Sequence, residues 1–140
     1  MAKREHVAHL SQIDLLSDCS KRELDEVAKV SEEITVPAGT SIVDQGDVGQ
    51  EAYVILEGTA VVRRGNRKVA ELGPGDPIGE MAIIDKGPRS AHVIAKTDMR
   101  LLKLTAKGFD QALERSPSLS RKLLAKLAGR VRELDRAAFG

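Results

Sequence analysis

One cysteine, one tyrosine, two phenylalanines and no tryptophan in 140 residues set aside several functions at the start. The lone Cys19 excludes an internal disulfide and a cysteine-based zinc cluster. Aromatic residues at 2% are too few for the stacking platforms of single-strand nucleic-acid binders. Charge of one sign is missing as well: 22 basic residues meet 21 acidic ones and leave +1. No field argues for nucleic acid or an anionic membrane, so any anion site must be local. Long apolar runs are lacking too, which leaves no signal core and no membrane-spanning helix and predicts a cytoplasmic protein. His6, His9 and His92 offer no metal triad, and no Ser, Cys or Lys stands in a nucleophile motif. No metal, no cofactor and no catalysis are therefore expected.

What is present is a supply of Val, Ile and Leu within a 41% hydrophobic composition, enough for one compact domain over residues 1–140. Residues 1–30 read as helical: VAHLSQIDLL has helical spacing, and Ser20 with Glu23 makes a capping box before Leu24, Val27, Ala28 and Val30. From 31 to 104 the period shortens. EEITV, TSIVDQ, AYVILE, TAVVRR, RKVAEL, SAHVIAK and MRLLKL are separated by the turn signals PAG, GDVG, RGN and GPGD, which predicts an antiparallel sandwich or barrel. Residues 105–138 return to helix, with Thr105 as a cap and Pro117 opening a second, long segment. In that segment Leu124, Leu127, Val131, Leu134 and Ala138 recur at steps of three and four. Such a seam is covered either by the chain's own barrel or by a second copy of the chain.

The segment 78–93, IGEMAIIDKGPRSAHV, interrupts the strands with two charges in an apolar run, Glu80 and Arg89. One reading is an internal ion pair that stabilises a loop. The other is a phosphate site. Gly79 lets a ligand approach the backbone, N–H groups at the start of a helical turn in GEMAII point at an anion, and Arg89 adds a two-pronged donor. Glu80 would repel a phosphate and is better matched to a sugar hydroxyl. Phosphate and hydroxyl together describe a nucleotide.

The order IGEMAII, DKG, PRSAHV resembles the phosphate-binding cassette of the cyclic nucleotide-binding domain family. PAGTSIVDQGDVGQEAYVILEGTAVV and GPGD, which precede it, look like the same family's strands and turns. RSAHVIAKT is especially similar to bacterial catabolite activator proteins, within a resemblance spanning about residues 10–138. The resemblance implies an α+β, mainly β fold: an eight-stranded antiparallel β jelly-roll barrel with N-terminal helices, a short cassette helix and a long C-terminal helix. It implies a sensor that binds a cyclic nucleotide, cyclic AMP ahead of cyclic GMP, through Gly79, Glu80, Met81, Arg89, Ser90 and Ala91. Glu80 would take the ribose 2′-hydroxyl, Arg89 the cyclic phosphate, and Gly79 and Ser90 backbone donors. Val62 and Val69 would wall the pocket, and Leu134 with Asp135 on the closing helix would reach the base. Ile78 and Pro77 stand where the family often has aromatics, and His92 where it has Thr or Ser. Ser90 leaves adenine and guanine both open.

The expected partners are a cyclic nucleotide and a second copy of the chain through Leu124, Leu127, Val131 and Leu134. Neither nucleic acid nor membrane is expected for this chain alone. A transcription activator would need a helix-turn-helix beyond residue 140, so the chain reads as a stand-alone module or the regulatory piece of something longer. The rival reading is a constitutive interaction or structural module with a degenerate, non-binding cassette.

Overall fold

The computed structural model describes residues 2–85 and 87–139; Lys86, inside the cassette span, lies outside them with Met1 and Gly140. The N-terminal helical region is broken into α1 (Ala2–Leu10), a 3-10 turn (Asp14–Leu16) and α2 (Lys21–Lys29). The capping box forms as the sequence indicates. Glu23 N–H donates to Ser20 Oγ at 3.2 Å, and Ser20 N–H donates to Glu23 Oε1 at 2.8 Å.

Eight strands follow: β1 (Ser31–Val36), β2 (Ser41–Val43), β3 (Glu51–Glu57), β4 (Ala60–Arg64), β5 (Arg67–Leu72), β6 (Pro77–Ile78), β7 (His92–Ala95) and β8 (Met99–Thr105). Seven coincide with the β-rich segments of the sequence. The eighth, β6, has two residues, too few for any periodic signal. The strands form two four-stranded antiparallel sheets, in the orders β1-β8-β3-β6 and β2-β7-β4-β5. Each sheet keeps its own edges, so the eight-stranded antiparallel jelly roll that the resemblance implied is built as two facing sheets without closure.

Two cores explain why AYVIL in β3 is apolar without alternation. Tyr53 and Ile55 face inward with Val43, Ala60, Ile78, Val93 and Leu101 from both sheets. Ala52, Val54 and Leu56 face outward, under a helical layer that includes Leu10, Ile13, Leu16, Val27 and Phe109. A strand covered on both faces needs apolar residues at every position.

Thr105 Oγ1 accepts from Gly108 N–H at 2.9 Å and caps α4 (Ala106–Arg115), and α5 (Pro117–Phe139) begins on the proline. Leu119 and Leu123 of α5 are buried, and Leu127 packs on the helical core. Leu124, Val131 and Leu134 are exposed, Leu134 by 71%. The predicted apolar seam is therefore split: Leu127 is occupied at home, and Leu124, Val131, Leu134 and Ala138 face solvent. No helix among the described residues is long and apolar enough to cross a membrane.

Candidate functional site

The cassette leaves β6, turns at Gly79, forms one helical turn, α3 (Ala82–Asp85), and returns through 87–91 to β7. Gly79 has φ +65°, the left-handed region, and a Cβ there would strike the Arg89 guanidinium. Gly49 is needed for a second reason, since a Cβ would lie 2.6 Å from that of Ala82 and 2.9 Å from Arg89 Cζ. Both glycines clear the space in which the arginine lies.

The loop between β2 and β3 holds the second half of the cassette through the backbone. Gly46 N–H donates to Arg89 O at 2.9 Å, Arg89 N–H to Asp47 O at 2.8 Å, and Gly49 N–H to Gly87 O at 2.9 Å. The Arg89 side chain is fixed too, with Nη2 donating to Glu51 O at 2.7 Å and Nη1 to Gly79 O at 3.5 Å. Two of its five N–H donors are engaged, both by carbonyls, and no carboxylate pairs with it among the described residues. The remaining donors and the full positive charge stay available to an anion.

Glu80 does not pair with Arg89, so the internal ion pair considered from the sequence is absent. Its nearest cation is Arg130 of α5, whose Nη2 lies 3.6 Å from Glu80 Oε1. Arg130 Nη2 also donates to Asp14 Oδ2 in the 3-10 turn at 2.7 Å, and Nη1 lies 3.3 Å from Met81 Sδ. The other carboxylate oxygen, Glu80 Oε2, is buried and has no hydrogen-bond partner. Burial raises the Glu80 pKa above the ordinary carboxylate value, Arg130 opposes the rise, and Asp14 adds to it.

These groups open on one cavity of about 480 Å³. Gly79, Glu80, Met81, Arg89, Ser90, Ala91 and Val62 all line it, which brings together the six cassette residues and one of the two expected wall valines. Val69 is not brought to it. The β4–β5 register skips Val69 between the pairs Val62↔Ala70 and Arg63↔Lys68, and it is 47% exposed in an edge strand whose residues 67–71 are all exposed. The apolar walls that the sequence reading missed are Val43, Leu72 and Val93. Leu134 and Asp135 are exposed on α5, outside the lining, because α5 meets the cassette one turn earlier, at Arg130. A larger hollow, about 650 Å³, lies between α1 and α2 against Arg4, Val7, Lys21, Arg22 and Asp25. None of the buried, unpartnered polar atoms belongs to it, so the smaller cavity is the stronger candidate.

Comparison with known proteins bears on the same residues. A family model described as "Cyclic nucleotide-binding domain" matches residues 33–116. The chain is 38% identical over 133 residues to the Pycsar effector protein XpPycTIR of Xanthomonas perforans, covering 94% of this chain and 43% of that protein. It is 38% identical over 104 residues to the cyclic AMP receptor protein of Thermus thermophilus, covering 71% of this chain and 48% of that one. The chain thus spans less than half the length of either relative. Among solved structures, the N-terminal domain of a transcriptional regulator from Streptomyces coelicolor superposes with a TM-score of 0.86 at 28% identity, covering 94% of this chain and 96% of the other. A cassette ordered as in the resemblance, a two-sheet jelly roll around it and a family match over more than half the residues agree: the chain belongs to the cyclic nucleotide-binding domain family.

Proposed function

We propose that this chain is a regulatory sensor that binds a 3′,5′-cyclic nucleotide, cyclic AMP ahead of cyclic GMP, in the 480 Å³ cavity and passes the occupancy on through α5. The observation that carries the reading is Glu80, a cavity-lining carboxylate whose Oε2 is buried without a donor, beside an arginine of the same cavity that keeps donors to spare. An orphaned buried carboxylate oxygen costs about 1–3 kcal/mol, and a ribose hydroxyl relieves that cost when it donates. Arg89, held by carbonyls, meets the cyclic phosphate with its free N–H groups. The apolar walls at Val43, Val62, Leu72 and Val93 accept the uncharged remainder of the ligand. The order of the two bases rests on the likeness to a cyclic AMP receptor protein.

The proposal places the protein in the cytoplasm, gives it no catalytic step, and makes a second copy its partner. Leu124, Val131 and Leu134 are the exposed residues available to such a dimer, while Leu127 is engaged by its own helical core. Isothermal titration with cyclic AMP and cyclic GMP tests the central claim. Saturable binding to the parent is expected, with Arg89→Ala weaker by about 1.5–3 kcal/mol. Equal affinity of parent and variant overturns the phosphate role, and no binding or thermal shift with either nucleotide supports the degenerate-cassette reading instead.

A further inference from the structure

The hairpin of β4 and β5 carries four cations, Arg63, Arg64, Arg67 and Lys68, in an arrangement that costs the hairpin stability. The register sets Arg63 opposite Lys68 and Arg64 opposite Arg67, two successive cross-strand pairs of like charge. Like charges directly opposite each other destabilise a sheet. Lys68 is relieved by Glu71, with Nζ and Oε2 2.5 Å apart. Arg63, Arg64 and Arg67 are exposed, and no carboxylate pairs with any of them among the described residues. The tip is held in place all the same: Gly65 N–H donates to Gln45 Oε1 at 2.8 Å, which ties it to the loop between β2 and β3. A repelling cluster on an anchored turn presents its charge at a fixed place.

Beside these arginines runs an open strand edge. β5 pairs with β4 alone, so the backbone N–H and C=O groups on its outer side point away from the sheet with no strand to receive them. Residues 67–71 are all exposed. Basic residues on an edge ordinarily keep other strands off. That purpose is served by one or two of them and does not require opposed arginines, whose repulsion falls on the hairpin itself. The charge that repels a basic strand attracts an acidic one. We propose that the β4–β5 hairpin is a docking site for an acidic, extended segment of a partner protein, which adds to the β5 edge as a strand and sets carboxylates against Arg64 and Arg67. Backbone bonds along β5 hold such a segment, and the guanidiniums select it by charge. Phosphates of a nucleic acid or a membrane surface would meet the arginines but leave the strand edge unused. The site lies at the opposite end of β5 from Leu72, which lines the cavity described above, so the two can be filled together.

Fluorescence anisotropy at low salt tests this on the full chain, with a labelled peptide of Glu and Thr as the probe. The peptide is expected to bind, and its counterpart with Lys in place of Glu is expected not to. Arg64→Gln and Arg67→Gln should each weaken binding by about five-fold, the upper range for an exposed charge pair. Both variants should match or exceed the parent in thermal stability, because each removes a like-charged pair. Methylating alternate backbone nitrogens of the peptide, in either register, should abolish binding in one register, since an added strand donates from one side only. No binding of the Glu peptide, or equal binding of the Glu and Lys peptides, overturns the proposal. So does full binding of both methylated peptides, which would leave the β5 edge unused. Duplex DNA or phosphatidylserine vesicles that bind more tightly than the peptide through the same arginines would assign the patch to phosphate and overturn it as well. Self-association of the parent that the arginine variants strengthen would give the edge to a second copy, with the same result.

Discussion

Two glutamates lie under the same helix, each beside one of its basic side chains, and their surroundings are opposite. Glu23 in α2 is 4% exposed and fully engaged: it accepts from Ser20 N–H, from the Ser118 hydroxyl and from Lys122 Nζ at 2.6 Å. Burial alone would raise its pKa, but these donors outweigh burial and bring it down to about 2. Glu80 in the cassette has one distant cation and an orphaned oxygen, and its pKa moves the other way. A carboxylate whose lone pairs are all taken by its own chain serves the fold. One left short of a donor is destabilised until something brings the donor, which is what a binding site requires.

The largest expected effect falls on the first of the two. Glu23→Ala strips the donors of Ser20, Ser118 and Lys122 of their shared acceptor and should lower the unfolding free energy by about 3 kcal/mol, roughly 1 for each hydrogen bond lost. Urea unfolding measures this. A loss below about 1 kcal/mol would place Glu23 with ordinary surface pairs and break the contrast. Nucleotide affinity of the folded fraction should be unaffected.

Glu80→Ala should invert that result. Affinity for the ribose ligand falls by about 1.5–3 kcal/mol, the value of a hydrogen bond to a charged acceptor. Stability changes by less than about 0.5 kcal/mol or rises, because a desolvated, half-satisfied carboxylate is removed. A Glu80→Ala protein that unfolds easily would show the carboxylate to be structural after all.

Acid titration sharpens the same contrast by sign. Glu23 has a folded pKa depressed below the ordinary 4.5, so its stabilisation is present above 4.5 and is lost as the pH falls toward about 2. The folded pKa of Glu80 is raised above 4.5, so its cost is present in full above that raised value and is gone below 4.5. Parent stability minus that of Glu23→Gln should therefore be positive at neutral pH and shrink in acid. Parent minus Glu80→Gln should be negative at neutral pH and approach zero from the other side. Two curves of the same sign would refute the distinction.

How far each region could be read from the sequence follows the same line. The capping box at Ser20 and Glu23 is a local pattern, and the sequence shows it, but the buried meeting with Ser118 and Lys122 joins residues about a hundred positions apart and leaves no local trace. The cassette was legible because its residues sit close together in a specific order, and six of them do share one cavity. Val69 falls outside the cavity because β5 is an edge strand with residues 67–71 all exposed, and which strand takes an edge is set by long-range pairing that leaves no local trace. Arg130 was missed for another reason: a charge on a helix ordinarily reads as solvated, and only the long-range packing of α5 brings it to Glu80 in place of Leu134 or Asp135.

The smallest effect, and the one that connects the two glutamates, concerns the helix above them. α5 is pinned at its start by Leu119, Leu123 and the donors to Glu23, whereas beyond Leu127 the described contacts to the rest of the chain centre on Arg130. Gly129 lies between these stretches, and a Cβ there would meet nothing within 4 Å, so the glycine is not demanded by packing. It weakens the helix by about 1 kcal/mol relative to alanine where the pinned part ends. A ligand can move this helix only by favouring one of its positions over another, and on the proposed reading its path to α5 runs through Glu80 to Arg130, in the far part. Amide exchange should accordingly slow on adding cyclic AMP across 128–138 and change little across 118–124, where Leu119 and Leu123 are buried. Gly129→Ala should slow exchange in the far part without ligand and leave a smaller response to it, by about the same 1 kcal/mol. Uniform slowing along all of α5, or none at saturating ligand, would mean that the Glu23 end and the Glu80 end are not separate regions, and the helix would then move as one rigid piece or carry no signal.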